Sequence, residues 1–102
     1  MPIQRITCFK IKNETDIQGI LDQYEHLSKT NQKDGKPYIL ETSAHKAIDD
    51  PRNSGYNLVA MTKYASMEDV KYYDEECEAH KQLKAFAKGK LEGPPLAFHL
   101  EV

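Results

Sequence analysis

The sequence of 102 residues contains no tryptophan, only two cysteines and no long apolar run. Two cysteines cannot form the disulfide framework of a small secreted domain, so Cys8 and Cys77 are expected to be reduced thiols in a cytoplasmic protein. A membrane span needs about 20 apolar residues in a row, so no membrane partner is expected. The first residues, MPIQRITCFKIK, lack a basic stretch followed by an apolar one, so no signal peptide is expected.

The chain also lacks an excess of positive charge. Its 14 Lys and Arg residues are outnumbered by 16 Asp and Glu residues, which gives a formal net charge of −2. The basic residues are scattered along the chain, so a nucleic-acid partner is not expected. Hydrophobic residues make up 39% and charged residues 29%, which is ordinary for a globular protein. The length predicts a single domain over residues 1–102.

Hydrophobic periodicity predicts six elements of secondary structure. Segments rich in β-branched and aromatic residues predict strands at 3–12, 37–45, 55–64 and 96–102. Helical spacing predicts one helix that follows Asn13 or Thr15 and ends near KTNQKDGKP, and a second over 67–88. The order β-α-β-β-α-β is that of the ferredoxin-like fold, an α+β architecture with a four-stranded antiparallel sheet.

The predicted sheet has apolar side chains on both of its faces, because the first and third strands carry them at odd and even positions. Two helices can cover only one face of such a sheet, and the chain has no further element for the other. A second copy of the same sheet is the simplest cover. The sequence therefore predicts a homodimer whose sheets pack face to face.

Several motifs resemble the stress-responsive dimeric α/β-barrel (Dabb) family. They are the FK pair of the first strand, the GY that opens the third strand, and the Tyr and Ala-His of the second helix. The resemblance covers essentially the whole chain, and DGKPYI and YYDEECEAH are most like fungal members. It implies a ferredoxin-like protomer that pairs into a dimeric α/β barrel. Some members are stress-induced proteins with no established chemistry, and one plant member is a polyketide cyclase that uses no cofactor.

The resemblance to the cyclase indicates a catalytic pair on the second helix. The tyrosine and histidine that carry its intramolecular aldol condensation match Tyr73 and His80. His80 would then be the general base and Tyr73 the donor to an enolate oxygen. The surroundings differ, since Arg5 stands where many members have a first-strand histidine, Leu58 where the cyclase has a third-strand histidine, and Glu78 where the cyclase has a proline. The expected ligand is therefore a small apolar carbonyl compound, polyketide-like at the most specific, and not the cyclase substrate itself.

Further side chains are expected to face the same cavity from the first and third strands and both helices. They are Arg5, Thr7, Phe9, Tyr24, Leu58, Tyr72, Leu83 and Phe86. Core packing is the default interpretation of Tyr24 and Phe86, and half-exposed packing that of Tyr72. Arg5 has two interpretations. Its guanidinium either enters the cavity, where it would need an acid or an anionic ligand, or reaches solvent at the strand end, which is favoured.

The separation of Tyr73 and His80 depends on whether the second helix is continuous. Seven residues at a rise of 1.5 Å would place them roughly 10 Å apart along one helix axis, too far for contact. A break near residues 74–76 would bring them closer. The acids of this segment are interpreted as a solvated face. Cys77 and His80 are two potential ligands without a third, so no metal is expected.

These patterns leave two functions open. One is a cofactor-independent cyclase- or lyase-type enzyme, or a binder, of carbonyl compounds. The alternative is a non-catalytic stress-response homodimer with a structural or protective role, in which His80 is a buried histidine bonded within its own fold. A cavity that reaches both Tyr73 and His80 favours the first, whereas a filled interface between helices and sheet favours the second.

Overall fold

The computed structural model describes residues 1–102 and contains strands and helices in the predicted order. The strands are β1 (Ile3–Phe9), β2 (Glu41–Lys46), β3 (Leu58–Tyr64) and β4 (Leu96–Glu101), and the helices are α1 (Ile17–Thr30), α2 (Met67–Glu75) and α3 (Glu78–Ala87). Short 3-10 turns occupy Glu14–Asp16 and Pro51–Asn53. The strands form one antiparallel sheet in the order β2-β3-β1-β4. The predicted ferredoxin-like fold is therefore confirmed.

Strand β1 is shorter than the predicted strand 3–12 because an asparagine side chain replaces its pairing with β3 beyond Phe9, and only a single bridge joins Ile11 to Leu91 on its other side. The side chain of Asn57 accepts from the Ile11 amide at 2.8 Å and donates to the Ile11 carbonyl at 3.0 Å. Strand β3 also begins late, at Leu58, because Gly55 has a φ of +90° and belongs to the preceding turn. Both departures lie at the same end of the sheet.

Strand β2 begins at Glu41 and not at residue 37 as predicted. The amides of Tyr38 and Ile39 donate to the side-chain oxygen of Asn31, at 3.0 and 3.1 Å, instead of to a neighbouring strand. Asn31 is buried just beyond the end of α1. A side chain that satisfies two backbone donors lets Tyr38 and Ile39 enter the core without extending the strand.

The helices cover one face of the sheet and form the core with it. From the sheet the buried residues are Ile3, Thr7, Phe9, Leu58, Ala60, Thr62 and Tyr64, which alternate along β1 and β3. The helices contribute Ile17, Ile20, Tyr24, Leu27, Val70, Tyr73, His80, Leu83 and Ala87. Alternate strand residues point to the same face, so Arg5 lies in this inward row between Ile3 and Thr7.

The opposite face of the sheet is uncovered, and its centre and β4 edge are apolar. Ile6 at its centre pairs with Met61 on β3 and with Phe98 on β4. Phe98 is 49% exposed, and its neighbours Leu96 and Leu100 are exposed as well. We call this surface the open sheet face, and it is the uncovered second face that the sequence predicted.

Both cysteines are free thiols. Cys8 lies on the open sheet face, and Cys77 is buried between α2 and α3. None of the helices is long and apolar enough to cross a bilayer.

Candidate functional site

The segment that carries the candidate pair is broken into two helices. Helix α2 ends at Glu75, and the amides of Glu76 and Cys77 both donate to the Tyr72 carbonyl, at 2.8 and 2.9 Å. Cys77 then has an extended backbone before α3 begins at Glu78. Acids at the end of α2 oppose its dipole, whereas Glu78 suits the start of α3, so the charge pattern favours the break. The helical region predicted over 67–88 therefore consists of two helices, and of the two alternatives left open by the sequence the broken one is present.

The break stacks the rings of Tyr73 and His80. Their centroids lie 3.6 Å apart with an angle of 11° between the planes. Nδ1 of His80 lies 2.8 Å from the Tyr73 carbonyl oxygen. A carbonyl oxygen only accepts, so Nδ1 carries the hydrogen, and the neutral ring keeps a lone pair on Nε2. No side-chain hydrogen bond within the chain engages Nε2, which is therefore the basic atom of the site.

Burial sets the protonation states of this pair. Burial lowers the pKa of His80 from 6.5 to about 4, although its hydrogen bond to the Tyr73 carbonyl opposes the shift. Burial also raises the pKa of Tyr73 well above its ordinary value of 10.0. At neutral pH the pair is therefore a neutral imidazole and a protonated phenol, which are an acceptor and a donor.

A cavity of about 570 Å³ opens beside this pair, between β1, α3 and the segment before β4. Its buried floor consists of Thr7, Phe9, Tyr24, Tyr73, His80, Leu83 and Ala87. Its rim consists of Arg5, Asp74, Lys84, Ala85, Lys88, Gly89, Leu91 and Pro95. The cavity thus brings together both members of the expected catalytic pair and five of the eight expected ligand-contacting residues.

Three expected ligand-contacting residues, Leu58, Tyr72 and Phe86, lie outside this cavity. Leu58 is 0% exposed at the start of β3, where core side chains surround it completely. Tyr72 precedes Tyr73 on α2 and so takes another face of the helix, from which its hydroxyl donates to the Gln32 carbonyl at 3.1 Å. The Phe86 ring packs against Gly19 of α1, where a Cβ would come within 2.9 Å of it. Leu58 therefore belongs to the core, and Tyr72 and Phe86 are half-buried side chains that pack against it outside the cavity.

Arg5 enters the cavity instead of reaching solvent. Its side chain is only 13% exposed, and its Nη1 lies 3.0 and 2.9 Å from the two carboxylate oxygens of Asp74. The same nitrogen lies 3.3 Å from Nε2 of His99, Nε lies 3.4 Å from the Thr7 hydroxyl, and the guanidinium carbon is 5.3 Å from the centre of the Tyr73 ring. The favoured interpretation of Arg5 as a solvent-facing residue is therefore wrong, and so is that of Asp74 as part of a purely solvated acidic face.

Sequence patterns did not identify most of the rim. Asp74 had one usable signal, since a guanidinium in the inward row of β1 needs an acid. The sequence pattern indicates only that Lys84 and Lys88 belong to the basic end of a helix, not that they lie at a cavity. Leu91 and Pro95 reach the cavity through the turn before β4, and no periodicity marks their position. No cluster of three His, Cys, Asp or Glu side chains that could hold a metal ion occurs in the structure.

The burial of His80 predicts a loss of stability in acid. Its pKa of about 4 in the folded state lies below the ordinary 6.5, so the unfolded state binds more protons between these values. The free energy of unfolding should have its full value above about pH 6.5 and should be lower by roughly 3 kcal/mol at pH 4 and below. Urea unfolding at both pH values measures this loss. His80→Gln should show a smaller loss, and an equal loss in both proteins would contradict the assignment to His80.

The comparison with protein families decides the affiliation of the chain. The family model of the stress responsive A/B barrel domain matches residues 3–92. The chain belongs to the Dabb family. A fungal relative of this Dabb chain, a fusaristatin A biosynthesis cluster protein of Gibberella zeae, is 45% identical over 82 residues. The match covers 80% of this chain but 59% of that protein, so the chain spans less than two thirds of the relative's length. The predicted likeness to fungal members is confirmed.

Solved structures confirm the fold of this Dabb chain. A dimeric protein of ferredoxin-like fold from Bacteroides fragilis superposes with a TM-score of 0.79 at 13% identity, over 99% of this chain and 96% of that one. A hydroxynitrile lyase from Passiflora edulis superposes with a TM-score of 0.73 at 12% identity, over 98% and 94% of the two chains. At such low identities the likeness concerns the fold alone.

Proposed function

We propose that the protein is a cofactor-independent enzyme of the cyclase or lyase type that removes a proton next to the carbonyl of an apolar compound. The proposal rests most of all on the free Nε2 of a neutral His80 beside a cavity of about 570 Å³. A volume of several hundred cubic ångströms suits a small organic ligand. The apolar floor at Phe9, Tyr24 and Leu83 would hold the carbon skeleton.

The chemistry follows from the roles of three groups. Nε2 of His80 takes the proton from the carbon, and the electron pair of the C–H bond moves into an enolate whose charge falls on oxygen. The Tyr73 hydroxyl donates to that oxygen, and the Arg5 guanidinium lies close enough to stabilise its charge. The Tyr73 carbonyl holds the imidazolium through Nδ1–H. The enolate carbon then attacks a second carbonyl of the same molecule, whose oxygen takes the proton from Nε2 of His80, or the enolate carbon takes that proton back.

A base with a pKa of about 4 is weak for a carbon acid, so stabilisation of the enolate has to supply most of the driving force. The site has the components for this. The positive charge of Arg5 and the buried phenol of Tyr73 both lie where water is largely excluded, and a low dielectric strengthens their effect. The low pKa also keeps His80 ready as a base at any pH above about 5.

The comparisons support a role in biosynthetic chemistry. The relative from Gibberella zeae is described as part of a biosynthesis cluster, and the lyase from Passiflora edulis uses the same fold. These descriptions apply to those proteins. For this chain they favour a small-molecule enzyme over a purely structural protein.

We also propose that the protein is a cytoplasmic homodimer. The open sheet face around Ile6, Met61 and Phe98 is a continuous apolar surface in the protomer, and apolar surfaces of this kind mark association sites. The similar Bacteroides fragilis protein is described as dimeric. Two copies of the sheet, packed face to face, would remove both apolar faces from water.

The alternative function is that of a non-catalytic stress-response homodimer. The stacked rings of Tyr73 and His80 favour it, because the stack and the Nδ1 hydrogen bond already satisfy much of the histidine within the fold. In that case the cavity would be a packing defect without a ligand. The two functions differ in whether a carbonyl compound binds and reacts.

Exchange of the α-protons of an aryl ketone for deuterium tests this proposal. The protein is incubated with propiophenone in heavy water without any cofactor, and proton NMR follows the loss of the α-proton signal. We expect exchange faster than in buffer and a rise in the thermal unfolding temperature with ketone. The absence of both across a panel of aryl and alkyl ketones would contradict the proposal and favour the structural alternative.

A further inference from the structure

We propose that the cavity selects carbonyl compounds that also carry an anionic oxygen group such as a carboxylate, and that Arg5 binds this group. The inference rests on the proposed function in one respect, namely that the cavity is a ligand site. It adds the charge class of the ligand and the residue that determines the specificity.

The first argument is the charge of the cavity wall. Three basic side chains line it, Arg5, Lys84 and Lys88, against the single acid Asp74, and His80 is neutral. The whole chain has a net charge of −2, so the cavity wall is positive although the protein as a whole is negative. Clefts lined by one sign of charge concentrate ligands of the opposite sign. A ligand with negative charge therefore fits this cavity better than a neutral one.

The second argument is the unused capacity of Arg5. Its Nη1 lies within hydrogen-bond distance of Asp74 and His99, and its Nε lies 3.4 Å from the Thr7 hydroxyl, but Nη2 makes no hydrogen bond within the chain. A guanidinium presents its donors as a planar fork that fits a carboxylate with two bonds. The Arg5 side chain is 13% exposed, and Nη2 is not among the fully buried atoms without a partner, so water in the cavity reaches this donor. A ligand oxygen would take the place of that water.

The third argument is the position of Asp74. Its side chain is 43% exposed, so it partners Arg5 from the solvent side of the cavity and not from the floor. The Lys84 ammonium lies 3.4 Å from the Asp74 backbone carbonyl, which places a second cation at the same side of the rim. An entering carboxylate could therefore share the guanidinium with Asp74 while Lys84 offsets the added negative charge.

The fourth argument is the contrast between rim and floor. Phe9, Tyr24 and Leu83 give the buried end an apolar surface. Lys84 and Lys88 are exposed at the opening, and Arg5 is half-buried. An amphipathic molecule, with an apolar body and one acidic group, matches both ends at once. A ligand that is apolar throughout would leave the Nη2 donor of Arg5 unpaired when it displaced water, which is unfavourable.

A matched pair of ligands tests this inference. Benzoylpropionate has an aryl ketone and a carboxylate, and its methyl ester differs by one methyl group, which removes the negative charge. Isothermal titration calorimetry should show the acid binding about tenfold more tightly than the ester to the unchanged protein, as a charge-assisted hydrogen bond predicts. Equal affinity, tighter binding of the ester, or no binding of the acid at millimolar concentration would each overturn the inference.

Two variants with opposite expected effects assign the preference to Arg5. Arg5→Gln should abolish the preference for the acid, whereas Asp74→Asn should increase it, because Asp74 no longer competes for the guanidinium. Lys81→Gln on the outer side of α3 removes one positive charge away from the cavity and should leave the preference unchanged. If Asp74→Asn weakens binding of the acid, or if Arg5→Gln folds normally and keeps the preference, the inference fails.

Exchange of the α-protons is measured on the same two ligands, so that the two proposals can fail separately. Tight binding of the acid without exchange would leave the charge selection standing and remove the role of His80 as a base. Exchange of both ligands at equal affinity would support the base and overturn the selection for an anion.

Discussion

Replacement of His80 by glutamine is expected to lower the rate of α-proton exchange by about 10² to 10⁴-fold, the range typical for the loss of a general base. A glutamine amide can donate to the Tyr73 carbonyl as Nδ1 does, but it has no basic nitrogen in place of Nε2. The local fold should therefore persist while the proton acceptor is lost. Proton NMR of an aryl ketone in heavy water measures the rate.

The matched control for this substitution is His26→Gln, which changes an exposed histidine on α1 outside the cavity. It should exchange the ketone at the rate of the unchanged protein. Circular dichroism and a thermal melt show whether the His80 variant is folded. A folded His80→Gln protein that exchanges the ketone at the normal rate would place the base elsewhere and contradict the assignment.

Introduction of a charge on the open sheet face is expected to dissociate the dimer. Phe98 is 49% exposed in the protomer, so Phe98→Glu removes little from the core of a single chain. In the dimer it would bury an unpaired carboxylate in place of an aromatic ring, which is strongly unfavourable. We expect the dissociation constant to rise at least about 100-fold. Sedimentation velocity at micromolar concentration should show a dimer for the unchanged protein and a monomer for the variant.

Ile48→Glu is the control for this experiment. Ile48 is 89% exposed in the loop between β2 and β3, outside the open sheet face, so the same change in chemistry should leave the dimer intact. Dissociation by Ile48→Glu would show that negative charge alone disrupts association. A purely monomeric unchanged protein at this concentration would contradict the dimer directly.

The sequence predicted the architecture because the fold depends on patterns that a single chain displays. Alternation along β1 put Thr7 and Phe9 on one face and Ile6 on the other, and the structure shows that the first of these faces meets the helices. These rows follow from the two-residue period of a strand, which tertiary contacts cannot change without reversing a whole face. The pairing of Tyr73 with His80 came from the family resemblance, and the structure brings their rings into contact.

The sequence could not predict features that depend on contacts between distant segments. The break between Glu75 and Glu78 coincides with the burial of Cys77 in the core, whereas the helical periodicity of the sequence continues through it. The position of Arg5 depends on Asp74, which is 69 residues away along the chain. Tyr72 and Phe86 are aromatic residues of the kind that often line cavities, but their contacts with Gln32 and Gly19 place them on other surfaces. Each of these outcomes requires the folded geometry.

The state of the His80 ring is the most direct test of the central claim that a neutral histidine presents a free Nε2 to the cavity. Nitrogen NMR of the ring, followed from about pH 3 to pH 8, reports the tautomer and the midpoint of titration together. The structure predicts hydrogen on Nδ1, a lone pair on Nε2 and a midpoint near pH 4. Hydrogen on Nε2 in the neutral ring, or a midpoint near the ordinary pKa of 6.5, would contradict the claim.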